Sequence, residues 1–301
     1  MKKKTFWCDK FFLSVVIFTF FLPVSHKGLW GQETNKNKSL NKLVQKSFSS
    51  PEKLKEEKVT KKKPQINTIK NDPFALKRKK LIEELEEGLK KITYLSGKVI
   101  TVRQDILDAF DKTPRHEFVL KTSLDEAYEN RPLPIGFGQT ISQPYIVALM
   151  THLLETEKNH RVLEIGTGSA YQAAILSPLI KEVYSIEIIY ELGVKAKEKL
   201  KKLAYQNVFT KIADGYHGWK EKGPFDGIIV TAAASHLPPP LIKQLKVGGR
   251  IVIPVGSTFQ TQILTVVEKK SSGSKDALKV TRILPVRFVP FVGDIKKQEV
   301  K

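Results

Sequence analysis

Arg161-Val-Leu-Glu-Ile-Gly166-Thr-Gly168-Ser-Ala170-Tyr-Gln172 is the stretch that decides the fold. Its first five residues form an apolar run suited to a buried strand. The glycines that follow make a turn, and Tyr171–Leu179 then carries a helical pattern. Outward from this unit the alternation repeats. Short apolar runs at Glu182–Glu187, Val208–Ile212, Phe225–Thr231, Arg250–Val255 and Thr261–Glu268, with a last one around Ile283–Phe291, predict strands, and helical patterns separate the first several. Parallel strands need crossovers, and helices supply them. The expectation over 161–295 is therefore a Rossmann-like α/β core with a mostly parallel, doubly wound sheet. Upstream, 74–160 reads as a helical part. Leu81, Ile82, Leu85, Leu89 and Ile92 recur at helical spacing, further helical patterns cover Arg103–Asp111, Ser123–Tyr128 and Pro144–Glu155, and a Pro- and Gly-dense stretch spans Arg131–Ser142.

The net charge of +20 is unevenly spread over the 301 residues. Residues 1–80 carry 20 Lys and Arg against 6 Asp and Glu, a net of +14, which leaves +6 for the remainder. The first 31 residues read as a signal peptide or N-terminal anchor: Lys2–Lys4 precede the apolar run Phe11–Leu22, which is short for a membrane span. Residues 32–73 are rich in Lys, Asn, Ser, Gln and Glu and lack a sustained period, the composition of a disordered basic linker. The basic excess thus sits outside the folded part, and no specific nucleic-acid partner is expected. The single cysteine, Cys8, excludes intrachain disulfides and Cys-cluster metal sites. His116, His217 and His236 show no metal-ligand spacing, so no metal is expected.

The glycine turn after the first strand can serve several nucleotides. A dinucleotide fingerprint, G-x-G-x-x-G/A, fails where Tyr171 stands, whereas the methyltransferase pattern E/D-x-G-x-G-x-G is met by Glu164, Gly166 and Gly168, with Ala170 in the last place. An acid before the glycines suits a cationic sulfonium with its ammonium group and repels a pyrophosphate. Glu187 ends the second strand, where a carboxylate can accept ribose hydroxyls. Asp214 and Gly215 close the third strand, with Asp214 placed for the adenine amine. Any one of these acids alone reads as a solvated strand-end carboxylate; three at successive strand ends predict an S-adenosyl-L-methionine site of a class I methyltransferase.

Leu133-Pro-Ile-Gly-Phe-Gly-Gln-Thr-Ile-Ser-Gln-Pro-Tyr-Ile-Val-Ala148 resembles the signature loop of protein-L-isoaspartate (D-aspartate) O-methyltransferases. Val162–Gln172, Phe225–Ala234, Gln244–Gly256 and Val286–Phe291 resemble other segments of that family in the same order. The likeness runs from about Ile100 to Gly293 and departs from the family at Ala170 and Ala213, where glycine is usual. It implies methyl transfer from S-adenosyl-L-methionine to the free carboxylate of L-isoaspartyl residues in damaged proteins; the ester then cyclises to a succinimide, whose hydrolysis returns some normal aspartate. It also implies Ser142 as the catalytic residue.

By its own chemistry Ser142 reads as the N-cap of the helix starting near Pro144, a place where an anion is also favoured. A substrate carboxylate is expected to dock against Thr140, Ile141 and Ser142. Other readings are a class I methyltransferase acting on a small molecule or RNA, and a non-catalytic envelope binding module. The expected state is a monomer. The N-terminus predicts export to the periplasm or cell envelope with association at the membrane, whereas the family's usual place is the cytoplasm.

Overall fold

Residues 133–136 and 139–141 pair where the sequence showed only a Pro- and Gly-dense stretch. They form a small antiparallel hairpin of β1 (Leu133–Gly136) and β2 (Gln139–Ile141). The computed structural model describes residues 72–95, 102–257, 260–271 and 277–293. The expected signal or anchor segment and nearly all of the expected linker lie outside the described residues.

Six α-helices and nine strands are named among the described residues. The helices are α1 (Ala75–Leu95), α2 (Gln104–Lys112), α3 (Pro144–Leu153), α4 (Tyr171–Leu176), α5 (Tyr190–Lys202) and α6 (Pro239–Gln244). After the hairpin come β3 (Arg161–Ile165), β4 (Glu182–Glu187), β5 (Val208–Ile212), β6 (Phe225–Val230), β7 (Leu245–Val255), β8 (Gln262–Lys269) and β9 (Leu278–Val286). These seven form one sheet in the order β5-β4-β3-β6-β7-β8-β9. The pairs from β5 to β7 are parallel, and β8 and β9 join antiparallel. The expected mostly parallel sheet is therefore present.

Side chains of neighbouring strand positions leave opposite faces, and two buried clusters result. Val162, Val183, Ile229 and Val252 pack with residues of α1 to α5, while Leu163, Ile186, Ile228 and Ile251 pack with Leu241 of α6 and Tyr216 of a 3-10 turn. Cover is thus unequal, with five helices on one face and α6 plus short 3-10 turns on the other. On α1, Leu81, Leu85 and Leu89 form the buried stripe, four residues apart.

Two expectations at the C-terminal end need correction. The last strand starts earlier, at Leu278, and ends at Val286. Its register is set by pairing along all of β8, from Lys269↔Leu278 to Gln262↔Val286. Residues 289–291 instead return over the sheet edge, where Ala233 bridges Pro290. The strand expected at Arg250–Val255 begins at Leu245, because Leu245 already pairs with Phe225.

Candidate active site

From β3 the chain runs outward to β4 and β5, then crosses to β6 and β7 on the other side. The loops leaving adjacent strands at such a reversal diverge and open a crevice at the carboxyl ends. The walls of that cavity include Thr140, Ile141, Ser142, Glu164, Gly166, Gly168, Glu187, Gly215, Thr231 and Phe291. Of the sequence-predicted site residues, the cavity brings together all but Asp214.

The glycine turn is held from both neighbouring strands. The Gly166 N–H donates to the Ile186 carbonyl at 2.8 Å, and the Gly168 N–H donates to Glu187 Oε2 at 2.7 Å. From β6's end, the Thr231 hydroxyl lies 2.7 Å from the Gly166 carbonyl and 3.0 Å from that of Ile165. Gly166 adopts φ +95°, and a Cβ there would lie 2.4 Å from Thr231 Oγ1. Only glycine lets the turn bend this way while the backbone stays open to a ligand. Ala170, at φ +73°, takes the left-handed position that precedes α4. The family's usual glycine at this place has a physical reason: the Cβ makes that conformation unfavourable by roughly 1 kcal/mol.

The three acids have three different surroundings. Glu164 is completely buried on β3; it accepts a short hydrogen bond from Ser185 Oγ, while its Oε1 has no hydrogen-bond partner among the described residues. Burial pushes its carboxyl up to about 8, against the Ser185 hydrogen bond and helped by repulsion from Glu187. Thr167 Oγ1 lies 2.6 Å from Ser185 Oγ, so a hydroxyl relay joins the glycine turn to this acid. Glu187 accepts backbone N–H groups of Gly168, Ile188 and Ile189 at 2.7, 3.0 and 2.9 Å, a structural duty that the sequence did not disclose. Asp214 follows β5 as expected but is not among the residues that line the cavity. Its Oδ1 accepts the Tyr216 N–H at 2.9 Å, and its carboxylate stands where a Cβ on Gly293 would be, 2.3 Å away. It caps a 3-10 turn, and its neighbour Gly215 faces the cavity instead.

Ser142 is not the helix N-cap that its position suggested. Gln143 takes that place without a side-chain cap, Pro144 opens the helix, and Asn130 Oδ1 reaches across to accept the Tyr145 N–H at 3.0 Å. The first helical amide is therefore occupied, and the hydroxyl of Ser142 is left with no hydrogen bond among the described residues. Ser142 stands where the cavity meets a second, open hollow lined by Pro132, Gln143, Ile146, Thr261 and residues 285–289. Thr140, Thr231 and Val289 also belong to both. Sequence reasoning missed Thr231, Ser185, Asn130 and the buried Arg115; only Thr231 lies in a marked stretch, the family-like run Phe225–Ala234. For Val289, Pro290 and Phe291 the available signal was the family-like run Val286–Phe291.

The orphaned Oε1 of Glu164 and the glycine cradle fit a nucleoside that carries a positive charge, as the chemistry of S-adenosyl-L-methionine requires. Comparison with known proteins agrees. The family model described as protein-L-isoaspartate(D-aspartate) O-methyltransferase matches residues 86–296. A protein-L-isoaspartate O-methyltransferase 2 of Syntrophobacter fumaroxidans is 52% identical over 223 residues, 74% of this chain and 89% of that protein. Another, from Polaromonas sp., is 53% identical over 213 residues, 71% of this chain and 99% of its own length. A solved protein-L-isoaspartate O-methyltransferase is 31% identical with a TM-score of 0.62, covering 72% of this chain and 67% of that one. A structure from Plasmodium falciparum, a putative enzyme of this kind in complex with S-adenosyl-L-homocysteine, has a TM-score of 0.57 at 23% identity and covers 71% of this chain and 98% of its own; it supports the fold alone.

Proposed function

This chain belongs to the protein-L-isoaspartate(D-aspartate) O-methyltransferase family, and from that premise we propose how its residues divide the work of carboxyl methylation. It is an S-adenosyl-L-methionine-dependent protein-repair enzyme that esterifies the free carboxylate of L-isoaspartyl residues. The observation that carries the division of labour is the place of Ser142, between the nucleoside cavity and the open hollow.

S-adenosyl-L-methionine supplies a methyl group on a positively charged sulfur. In this chain, Gly166 and Gly168 let backbone close on it, Glu164 Oε1 offers a buried acceptor for its cationic end, and the lone pairs of Glu187 not used by the turn are available to ribose hydroxyls. The open hollow admits the damaged polypeptide, with Thr140 and Ile141 beside its carboxylate and the Ser142 hydroxyl donating to it. A carboxylate with a pKa of about 4 is already ionised at neutral pH, so the chain needs no general base. Methyl transfer from a cation to an anion cancels charge, and a crevice poor in water opposes this less than solvent does. Ile141, Val147, Leu192 and Phe291 give the cavity that apolar character. Ser142 accordingly orients the acceptor and is not a nucleophile.

The test is methyl-ester formation by the full-length protein on paired peptides differing only in L-isoaspartate versus L-aspartate. Base-labile methylation confined to the isoaspartyl peptide is expected. Ser142→Ala should lower kcat/KM by about tenfold, the value of one hydrogen bond to a charged group, and leave S-adenosyl-L-homocysteine affinity unchanged. A covalent adduct on Ser142, or unchanged kcat/KM in the variant, would refute its orienting role.

The N-terminal segment supports a second proposal, export to the cell envelope, since Lys2–Lys4 and the apolar run Phe11–Leu22 have the order of a signal sequence. Cell fractionation is expected to recover the protein with the envelope or periplasm. Full-length, unprocessed protein in the soluble cytosolic fraction would contradict export.

A further inference from the structure

Arg115 opens the 3-10 turn Arg115–Phe118 and is completely buried. Its Nη2 donates to the Ser142 carbonyl at 2.9 Å and to the Arg131 carbonyl at 3.4 Å. Its guanidinium carbon lies 4.8 Å from the centre of the Tyr171 ring. Tyr171 begins α4, directly after the glycine turn, and lines the cofactor cavity. One side chain thus joins the segment that presents Ser142 to the helix that follows the cofactor turn.

What is unusual is the charge. Among the described residues, Nε and Nη1 have no hydrogen-bond partner and no carboxylate pairs with Arg115. Burial pushes its pKa down to about 10, so it remains a cation at neutral pH. A neutral donor could make the same two carbonyl hydrogen bonds with less desolvation, so a tether alone does not explain a guanidinium here. A buried cation without a counter-ion one hydrogen bond behind Ser142 attracts an anion that docks there, more strongly than it would in water.

We propose that Arg115 is a positioning residue for the acceptor: it fixes the Ser142 peptide and holds an uncompensated positive charge behind it, so the ionised isoaspartyl carboxylate binds better than its neutral methyl ester. This rests on the reading that Ser142 faces the acceptor carboxylate. It gives the site a direction, because methylation removes the charge that attracted the substrate and the product is held less tightly.

The experiment compares the full-length parent with Arg115→Gln, which can still donate to carbonyls without a charge, and Arg115→Lys, which keeps the charge. KM for the isoaspartyl peptide should rise about tenfold in Arg115→Gln, equivalent to about 1.4 kcal/mol, and by threefold or less in Arg115→Lys. kcat and S-adenosyl-L-homocysteine affinity should stay within about twofold in both. An unchanged KM in Arg115→Gln, or an equal rise in both variants, would overturn the charge role and leave packing. A second measurement needs no variant to fold: the parent should bind the isoaspartyl peptide at least tenfold more tightly than its methyl ester, and equal binding would overturn the proposal. Parent turnover is the control that separates the cases, since a parent that methylates no isoaspartyl peptide contradicts the activity and not the role of Arg115.

Discussion

Replacing Gly166 by valine is expected to lower the affinity for S-adenosyl-L-homocysteine by at least about 100-fold, roughly 2.7 kcal/mol. Two costs add at this position. A β-branched residue at φ +95° is strained by about 1–3 kcal/mol. The new Cβ would also stand 2.4 Å from Thr231 Oγ1. Thr231 cannot simply turn away, because its hydroxyl sits between the carbonyls of Ile165 and Gly166, at 3.0 and 2.7 Å. Relief must therefore come from the turn itself, which would swing off β4 and carry Gly168 away from Glu187. Gly138 provides the matched control. Its φ of +68° is also left-handed, but a Cβ there would have nothing within 4 Å. Gly138→Ala should cost only the conformational term, about 1 kcal/mol. Calorimetric titration with S-adenosyl-L-homocysteine measures the contrast, and near-parent binding by Gly166→Val would show that the turn does not cradle the cofactor.

The second large effect is expected at Glu164. In the folded protein burial raises its carboxyl to about 8, from an ordinary value of 4.5. Between these values the folded state holds a proton that the unfolded chain has lost. Its contribution to stability is therefore present in full below about pH 4.5, declines by up to about 1.4 kcal/mol per pH unit, and levels off above about pH 8. Glu164→Gln carries no such proton. The difference in unfolding free energy between parent and variant should accordingly shift against the parent by several kcal/mol from pH 5 to pH 8. Taking the difference matters, because His116 and His152 have depressed pKa values through burial and act in the opposite sense. Denaturant unfolding at several pH values measures it, and a difference that is flat with pH would place the proton elsewhere. Cofactor binding should follow by linkage: a cationic ligand favours ionised Glu164, so its binding strengthens and releases a proton as pH rises toward 8. Glu164→Gln should lose that dependence.

Much of this site was legible in the linear chain because its chemistry is carried by strand ends. Once Arg161–Ile165, Glu182–Glu187, Val208–Ile212 and Phe225–Val230 are parallel strands, their carboxyl ends and the residues that follow meet at one edge of the sheet, and Glu164, Gly166, Gly168, Glu187 and Gly215 arrive there together. The family-like run Leu133–Ala148 similarly marked the segment that brings Thr140, Ile141 and Ser142 to the cavity. Asp214 shows where that reasoning stops. Its place at the end of β5 is right, but the Tyr216 amide competes for the same carboxylate, and a side chain with a local partner turns toward it. Ser142 shows the same limit from the other side: local sequence offered it as a helix cap, while Asn130, fifteen residues before Tyr145, occupies the first helical amide.

The sequence by itself determined most of the strands and helices of the sheet region, the residues proposed for the cofactor and the family that the chain resembles. Periodicity, glycine spacing and strand-end acids are local properties, written within a few residues of one another. Only the tertiary structure decided that Arg115 lies behind Ser142, that the Thr231 hydroxyl closes on Gly166, that Glu164 keeps a proton near neutral pH and that residues 289–291 return to wall the cavity. Each of these depends on burial or on a partner far along the chain. Neither is specified until the sheet has brought those segments together and removed the water between them.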